Sequence, residues 1–296
     1  MIASVNVIIP TCKRAYNLSK AVNSVLSQTY KNMEIIVVDD NNDGDEYRKE
    51  TEKAMEKFTH LPNVKYIKHS QNRNGAAARN TGIKNSNAEF VAFLDDDDLW
   101  SPRKIEKQIE MLNSKDSSYS GVACFHIRRY KNFTYKAIHF KENENGNYFF
   151  ELFTNKKSMP TSTLLFRREI FDKVMFDESF FRHQEIEFLA NFYRHFKMAI
   201  CPHFLVSMQV EGMRNYPNRD KVFAIKQKLL EKYKNDISQI PITMQKEICD
   251  YQNSELARMK FHNNACYSLA KKTLAVILGL TKYRRFMNLE KYWENA

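Results

Sequence analysis

The chain has 296 residues, 43% of them hydrophobic and 27% charged, which suits a soluble globular protein and argues against a fibrous or disordered one. No apolar run reaches the ~18–20 residues that cross a bilayer, and the first ten residues lack the basic n-region and small-residue cleavage site of a signal peptide. Five scattered cysteines without a C-x-x-C pair argue against a disulfide framework or zinc site and for a reducing cytoplasm.

In chain order, Val5 to Ile9 is β-branched and predicts a strand ending at Pro10. Leu18, Val22, Val25 and Leu26 recur at helical spacing. Glu34 to Val38 predicts a second strand, ending in Asp39-Asp40. A polar helix follows over Glu46 to Phe58, then a strand over Val64 to Ile67. Ala76 to Asn85 reads as a helix opened by Asn74-Gly75, and Phe90 to Leu94 as a fourth strand. Continuous apolar strands separated by helices predict an α/β fold, with a mostly parallel central sheet and helices on both faces. Right-handed crossovers place the carboxyl ends of such strands on one edge, where ligands bind. That edge collects Pro10-Thr11, Asp39-Asp40 and Asp95 to Asp98.

Beyond Trp100, Pro102 stands at the first turn of a helix running to Leu112. Gly121 to Tyr130 and Phe133 to His139 predict antiparallel strands, and Thr163 to Phe166 another. Tyr148 to Phe153, Phe171 to Val174 and Gln184 to His195 predict helices. After Pro217 the chain reads as helical and basic, and it is expected to dock on the main domain. From Asn215 to Ala296 there are 15 Lys+Arg against 8 Asp+Glu, so +7 of the net +11 lies there. The pattern divides the chain at 214: residues 1–100 as a nucleotide-binding half, 101–214 as an acceptor half, and 215–296 as a basic helical region.

The chemistry concentrates in Asp95-Asp96-Asp97-Asp98, four carboxylates at the end of an apolar strand. Like charges there repel and lose hydration, and an all-oxygen cluster suits a hard cation such as Mg²⁺ or Mn²⁺. A cation at that edge suits a ligand's phosphates, whereas a solvated acidic turn is the plain alternative. Residues Asp39 to Glu50 match the EF-hand formula, but a strand precedes them and Glu46 stands where an apolar residue belongs, so the match is read as chance. No G-x-G-x-x-G follows a strand. With 7 glycines in the chain, phosphates are expected to be held by metal and cationic side chains.

Five segments, in order and spacing, carry a resemblance. They are Val5 to Arg14 with its Pro10-Thr11, Ala21-Val22-x-Ser24-Val25-Leu26-x-Gln28-Thr29-Tyr30, Glu34 to Asp40, Asn72-x-x-Gly75-Ala76-x-x-Arg79-Asn80-x-Gly82, and Phe93 to Asp98. Over residues 4 to 210 the chain resembles family 2 glycosyltransferases, inverting enzymes of the GT-A fold that use nucleotide-diphosphate sugars. The resemblance implies that Pro10, Thr11 and Arg14 line the nucleotide pocket, and that Asp39, with its neighbour Asp40, accepts hydrogen bonds from the base or ribose. It implies Arg79 near the diphosphate, Asp95 and Asp96 in the Asp-x-Asp motif, and Asp97 with Asp95 as ligands of Mn²⁺ or Mg²⁺. Ser162 and His183 would lie on the acceptor side. Glu185 would be the catalytic base, where the family usually has Asp, with Asp177 and Glu187 as substitutes. No His aligns with the late metal ligand of many relatives; Gln209, Glu211 or water is expected there.

The implied reaction is metal-dependent transfer of a sugar, from UDP-sugar first among donors, to a hydroxyl of a glycan or lipid-linked saccharide in bacterial surface polysaccharide synthesis. A non-catalytic sugar-nucleotide or polysaccharide-binding module of the same fold is the alternative, and a nucleic-acid-binding protein, suggested by the basic tail, the more distant one. A nucleic-acid partner is not expected, since no helix-turn-helix or RNP-like motif accompanies the basic tail. Leu274 to Leu280, flanked by Lys271, Lys272, Lys282, Arg284 and Arg285, suggests either a core helix or peripheral contact with an anionic membrane at its inner face.

Overall fold

The computed structural model describes residues 3–130, 134–137, 145–154, 159–210 and 219–261. The chain divides into two compact units, Met1–Gln209 and Val210–Ala296.

The first unit is built on a nine-stranded sheet. Strands β1 (Val5–Thr11), β2 (Met33–Asp39), β3 (Val64–Lys68) and β4 (Phe90–Phe93) are parallel, with α1 (Ala15–Leu26), α2 (Glu46–Met55) and α3 (Gly75–Lys84) between them. The second half adds β5 (Asp98–Trp100), α4 (Lys104–Asn113), β6 (Tyr119–Tyr130), β7 (Thr134–Ala137), α5 (Phe149–Phe153), β8 (Leu164–Arg167), α6 (Gln184–Phe192) and β9 (Lys197–Val210). The strand order is β3-β2-β1-β4-β8-β6-β9-β5, with β7 on β6; β8 pairs antiparallel with β4 and β6, β7 with β6, and β9 with β5.

Successive strand residues face opposite sides, and the core shows it. Val5, Val7 and Ile9 of β1 join Ile35 and Val37 of β2 in one apolar cluster with Leu18, Val22 and Val25 of α1 and Ile105, Ile109 and Leu112 of α4. Ile8 points the other way, onto α3. The helix comes so close that a Cβ at Gly82 would lie 2.4 Å from Ile8 Cγ2, so only glycine fits. Beside it Phe93 packs edge-on against Phe166, Phe171, Phe176 and Phe188, and Phe176 stacks on Phe188 with ring centroids 4.2 Å apart. Both faces are thereby covered, as the apolar strands require.

Local details differ from the sequence reading, beginning with α2, which stops at Met55, three residues short of Phe58. Asp98 to Trp100 forms a short strand against β9, because the acidic turn closes with Asp98 N–H donating to Asp95 O at 3.0 Å. Arg168–Asp172 is a 3₁₀ turn in place of the helix expected over Phe171 to Val174. Helix α6 stops at Phe192, three residues early, since the chain enters β9 at Lys197. In the second unit, α7 (Arg219–Lys232), α8 (Lys234–Gln239) and α9 (Ile242–Phe261) follow one another, and Lys226 of α7 pairs with Glu255 of α9 at 3.4 Å. Glu211 and the Leu274 to Leu280 patch with its flanking cations lie outside the described residues. No helix among the described residues is long and apolar enough to cross a membrane.

Candidate active site

The carboxyl ends of β1, β2 and β4 meet, as their parallel register demands: Thr11 sits beside Asp39, and Asp40 N–H donates to Thr11 O at 2.9 Å. Thr11 Oγ1 donates to Asp96 Oδ2 at 2.8 Å, which fastens the acidic turn to the end of β1. Arg14, half exposed just before α1, reaches Asp96 at 3.2 Å and also pairs with Asp97. Pro10 ends the run in register with Val38.

Arg79 of α3 reaches the turn from the opposite side. Its Nη2 donates to Asp95 Oδ1 at 2.6 Å and to Thr161 Oγ1 at 3.4 Å, and its Nη1 to Gln184 Oε1 at 3.1 Å. Thr161 Oγ1 in turn lies 3.1 Å from both Asp95 oxygens. Burial alone would raise the Asp95 carboxyl, but the charge and hydrogen bond of Arg79 override it and hold it below its ordinary value. Asp96 goes the other way. Burial, with help from the neighbouring Asp97 and Asp95 charges, pushes its carboxyl up to about 7 against the pull of Arg14.

The two expected nucleotide contacts, Asp39 and Asp40, stand at the carboxyl end of β2. Asp39 is fully buried, with Tyr66 Oη and Arg48 on Oδ2 and the backbone and side-chain nitrogens of Asn41 on Oδ1. Asp40 is nearly as buried and accepts the backbone N–H of Arg73 and Asn74 at 2.9 Å each, with His69 Nδ1 at 2.7 Å from Oδ1. Asp40 thereby braces the loop that leads into α3, while Asp39 ties the end of β2 to α2 and β3. Ser162 is also fully buried: it accepts Asp95 N–H at 3.0 Å and donates to Asp98 Oδ2 at 2.5 Å, so it braces the turn. His183 stands at the start of α6 with φ 59°, in the left-handed region.

Glu185, on the first turn of α6, has no side-chain partner among the described residues. Burial raises its carboxyl above the ordinary value, Arg79 pulls it back, and Asp95 adds to the rise. It therefore lies within electrostatic reach of the acidic turn. The two substitutes are occupied: Glu187 is buried and accepts Asp177 N–H at 3.3 Å, while Asp177 accepts Ser179 N–H at 2.9 Å. The contacts that Gln184, Thr161 and Arg48 make here were not legible in the sequence. Only Asn74 carried a signal, as an N-cap residue, and its Oδ1 does accept Ala76 N–H at 2.9 Å. Gln209 donates to Ser207 Oγ at 3.2 Å within β9.

Among the described residues no three His, Cys, Asp or Glu side chains form a ready cation cage. The donor set nonetheless fits a hard cation carried on a phosphate ligand, which uses one or two carboxylates and keeps oxygen ligands from substrate and water.

The fold is thus an α/β sheet with an acidic turn held between two arginines at its carboxyl edge. The chain belongs to glycosyl transferase family 2, an enzyme family whose model matches residues 6–175. It is 40% identical over 113 residues to an uncharacterized glycosyltransferase of Rickettsia conorii, covering 38% of this chain and 18% of that protein. Over 115 residues it is 33% identical to the Escherichia coli UDP-Glc:alpha-D-GlcNAc-diphosphoundecaprenol beta-1,3-glucosyltransferase WfgD, covering 39% and 43%. These matches span less than half of each relative. The fold resembles Staphylococcus aureus TarS 1-349 with TM-score 0.61 and 16% identity, covering 88% of this chain and 72% of that one. It also resembles the Pyrobaculum calidifontis mannosyltransferase PcManGT, with TM-score 0.59 and 16% identity over 98% and 84%.

Proposed function

We propose that this chain transfers a sugar, with inversion, from a nucleotide-diphosphate sugar to a hydroxyl of a glycan or lipid-linked saccharide. The observation that carries the reading is the acidic turn Asp95 to Asp97, held between Arg14 and Arg79, with the unengaged Glu185 within electrostatic reach of it.

Arg14 is half exposed and already bound to carboxylates, so it can turn to a diphosphate oxygen, while Thr11 keeps Asp96 in place. Arg79 holds Asp95 ionised and brings a second positive charge to the donor side. Glu185 takes the proton from the acceptor hydroxyl. That oxygen forms its bond to the anomeric carbon from the face opposite the diphosphate, and the sugar–phosphate bond breaks to release the nucleoside diphosphate. A raised carboxyl pKa makes Glu185 a better base at neutral pH than an ordinary glutamate. Asp97 and Asp95 are the residues that would hold a divalent cation, Mn²⁺ or Mg²⁺, whose chemistry is to neutralise charge on the leaving diphosphate. Asp40 fixes the loop from His69 to Asn74 beside the nucleotide pocket, and Asp39 accepts hydrogen bonds from the base or ribose there.

The relatives support the substrate class. WfgD is named for a UDP-Glc donor and a diphosphoundecaprenol-linked acceptor, TarS has been solved with UDP and with UDP-GlcNAc, and PcManGT with GDP-Man and Mn²⁺. A UDP-sugar donor, a role in surface polysaccharide synthesis and a place at the inner face of the cell membrane follow from that analogy. The test is release of nucleoside diphosphate from UDP-glucose, UDP-N-acetylglucosamine and GDP-mannose, with Mn²⁺, Mg²⁺ or chelator. Turnover of a UDP-sugar that chelator stops is expected. Absence of turnover and of UDP binding with either metal contradicts the proposal.

A further inference from the structure

The contact between α3 and α6 is drawn through one carboxamide. Gln184 immediately precedes Glu185 and is buried. Its Oε1 accepts from Arg79 Nη1 at 3.1 Å, and its Nε2 donates to Phe180 O at 2.7 Å and to Asn74 Oδ1 at 3.2 Å. Asn74 is the residue that caps α3, the helix carrying Arg79. One side chain thus touches the arginine that grips Asp95, the cap of its helix and the turn before the base.

We propose that Gln184 is a positioning residue, which fixes Arg79 on Asp95 and sets the distance from that pair to Glu185. This rests on the reading of Asp95 and Arg79 as donor-side groups and of Glu185 as the base.

The guanidinium needs such a partner. Arg79 Nε is buried without a hydrogen bond among the described residues, so Asp95, Gln184 and the longer Thr161 contact define the orientation of the plane, with Phe176 5.5 Å away beneath it. Gln184 is a neutral acceptor, and neutrality matters. A carboxylate there would compete with Asp95 for the same guanidinium and add negative charge where a diphosphate must approach. The two donor bonds of Nε2 fix which face of the amide meets Arg79, because only the oxygen can accept. The space is exact to within a side-chain carbon: a Cβ at Gly75 would lie 3.0 Å from Arg79 Nη1 and 3.1 Å from Gln184 Oε1. Glycine at the first position of α3 is disfavoured by helix propensity, and this close contact gives it a reason to be there.

The test compares Gln184→Met, Gln184→Glu and Gly75→Ala with wild type. It follows nucleoside diphosphate released from UDP-glucose, UDP-N-acetylglucosamine and GDP-mannose, with thermal unfolding measured alongside. Asp95 still holds Arg79 in the Met variant, so KM for the nucleotide sugar is expected within about threefold, while lost alignment lowers kcat by on the order of tenfold or more. Gln184→Glu keeps an acceptor for Arg79 but brings the competing charge, so it is expected to raise KM for the nucleotide sugar, which the Met variant leaves nearly unchanged. Gly75→Ala presses on the same contact from the other side and lowers kcat without lowering the melting temperature. On an active wild type, kcat within twofold for both Gln184→Met and Gly75→Ala overturns the assignment alone, as does a loss that tracks the unfolded fraction. A wild type that releases nothing overturns the functional reading and this assignment with it.

Discussion

At the scale of single residues the site is a set of carboxylates made different by their surroundings. Asp95 is held ionised by Arg79, Asp96 is pushed up by burial, and the half-buried Glu185 has no side-chain partner among the described residues. Glu185→Gln keeps the shape of the side chain and removes its basicity. It should slow sugar transfer by on the order of 10²–10⁴-fold while leaving UDP affinity within a few-fold. Glu185→Asp should fall between the two. Parallel turnover and calorimetry on the three proteins check this, and near-normal turnover by the Gln variant would remove Glu185 from the role. The acidic turn was legible in the sequence because four adjacent carboxylates at a strand end have few structural uses. The true partners of Asp39 and Asp40 were not. Arg48 arrives from α2, Tyr66 from β3 and the Arg73 N–H from a loop 33 residues away, and no local pattern reports such pairings.

At the scale of elements, helix α3 organises the site, and two of its residues owe their identity to backbone geometry. Asn74 caps the helix at φ 85°, where an alanine would lose the cap and also strain the backbone. Asn74→Ala should cost about 1–2 kcal/mol, and Asn74→Gly, which tolerates that φ, clearly less. Urea unfolding of both variants gives the order, and equal losses would contradict it. Gly82→Ala forces a methyl into Ile8, 2.4 Å away, and should destabilise by about 1–3 kcal/mol. Unchanged stability would mean that α3 shifts freely on β1. The parallel strands and their helices were legible from hydrophobic period alone. The antiparallel β5, only three residues long, was hidden because two of its members read as part of the acidic motif and its end.

At the scale of the whole molecule, the first unit carries an ionisable group that its chemistry does not use. Lys104 is fully buried under Trp100, its Nζ 3.9 Å from the ring, and donates to Gln108 Oε1 at 2.6 Å. Burial lowers its pKa from 10.5 to about 8. Between those values the unfolded chain binds more protons than the native one, so this group makes stability rise with pH from about 8 to about 10.5, by up to about 3 kcal/mol. Below pH 8 both states carry the charge and the native state bears the full cost of burying it. Lys104→Met should flatten that slope in unfolding experiments at pH 7.5, 9 and 10, and an identical slope in both proteins would contradict the assignment. The central claim is that the acidic turn of this unit is a donor site completed by a divalent cation. Titration of UDP in the presence of Mn²⁺ into wild type and Asp97→Ala by calorimetry tests it most directly. The account predicts metal-dependent binding by the wild type, abolished in a variant that melts at the same temperature; unchanged UDP affinity in the variant would contradict it.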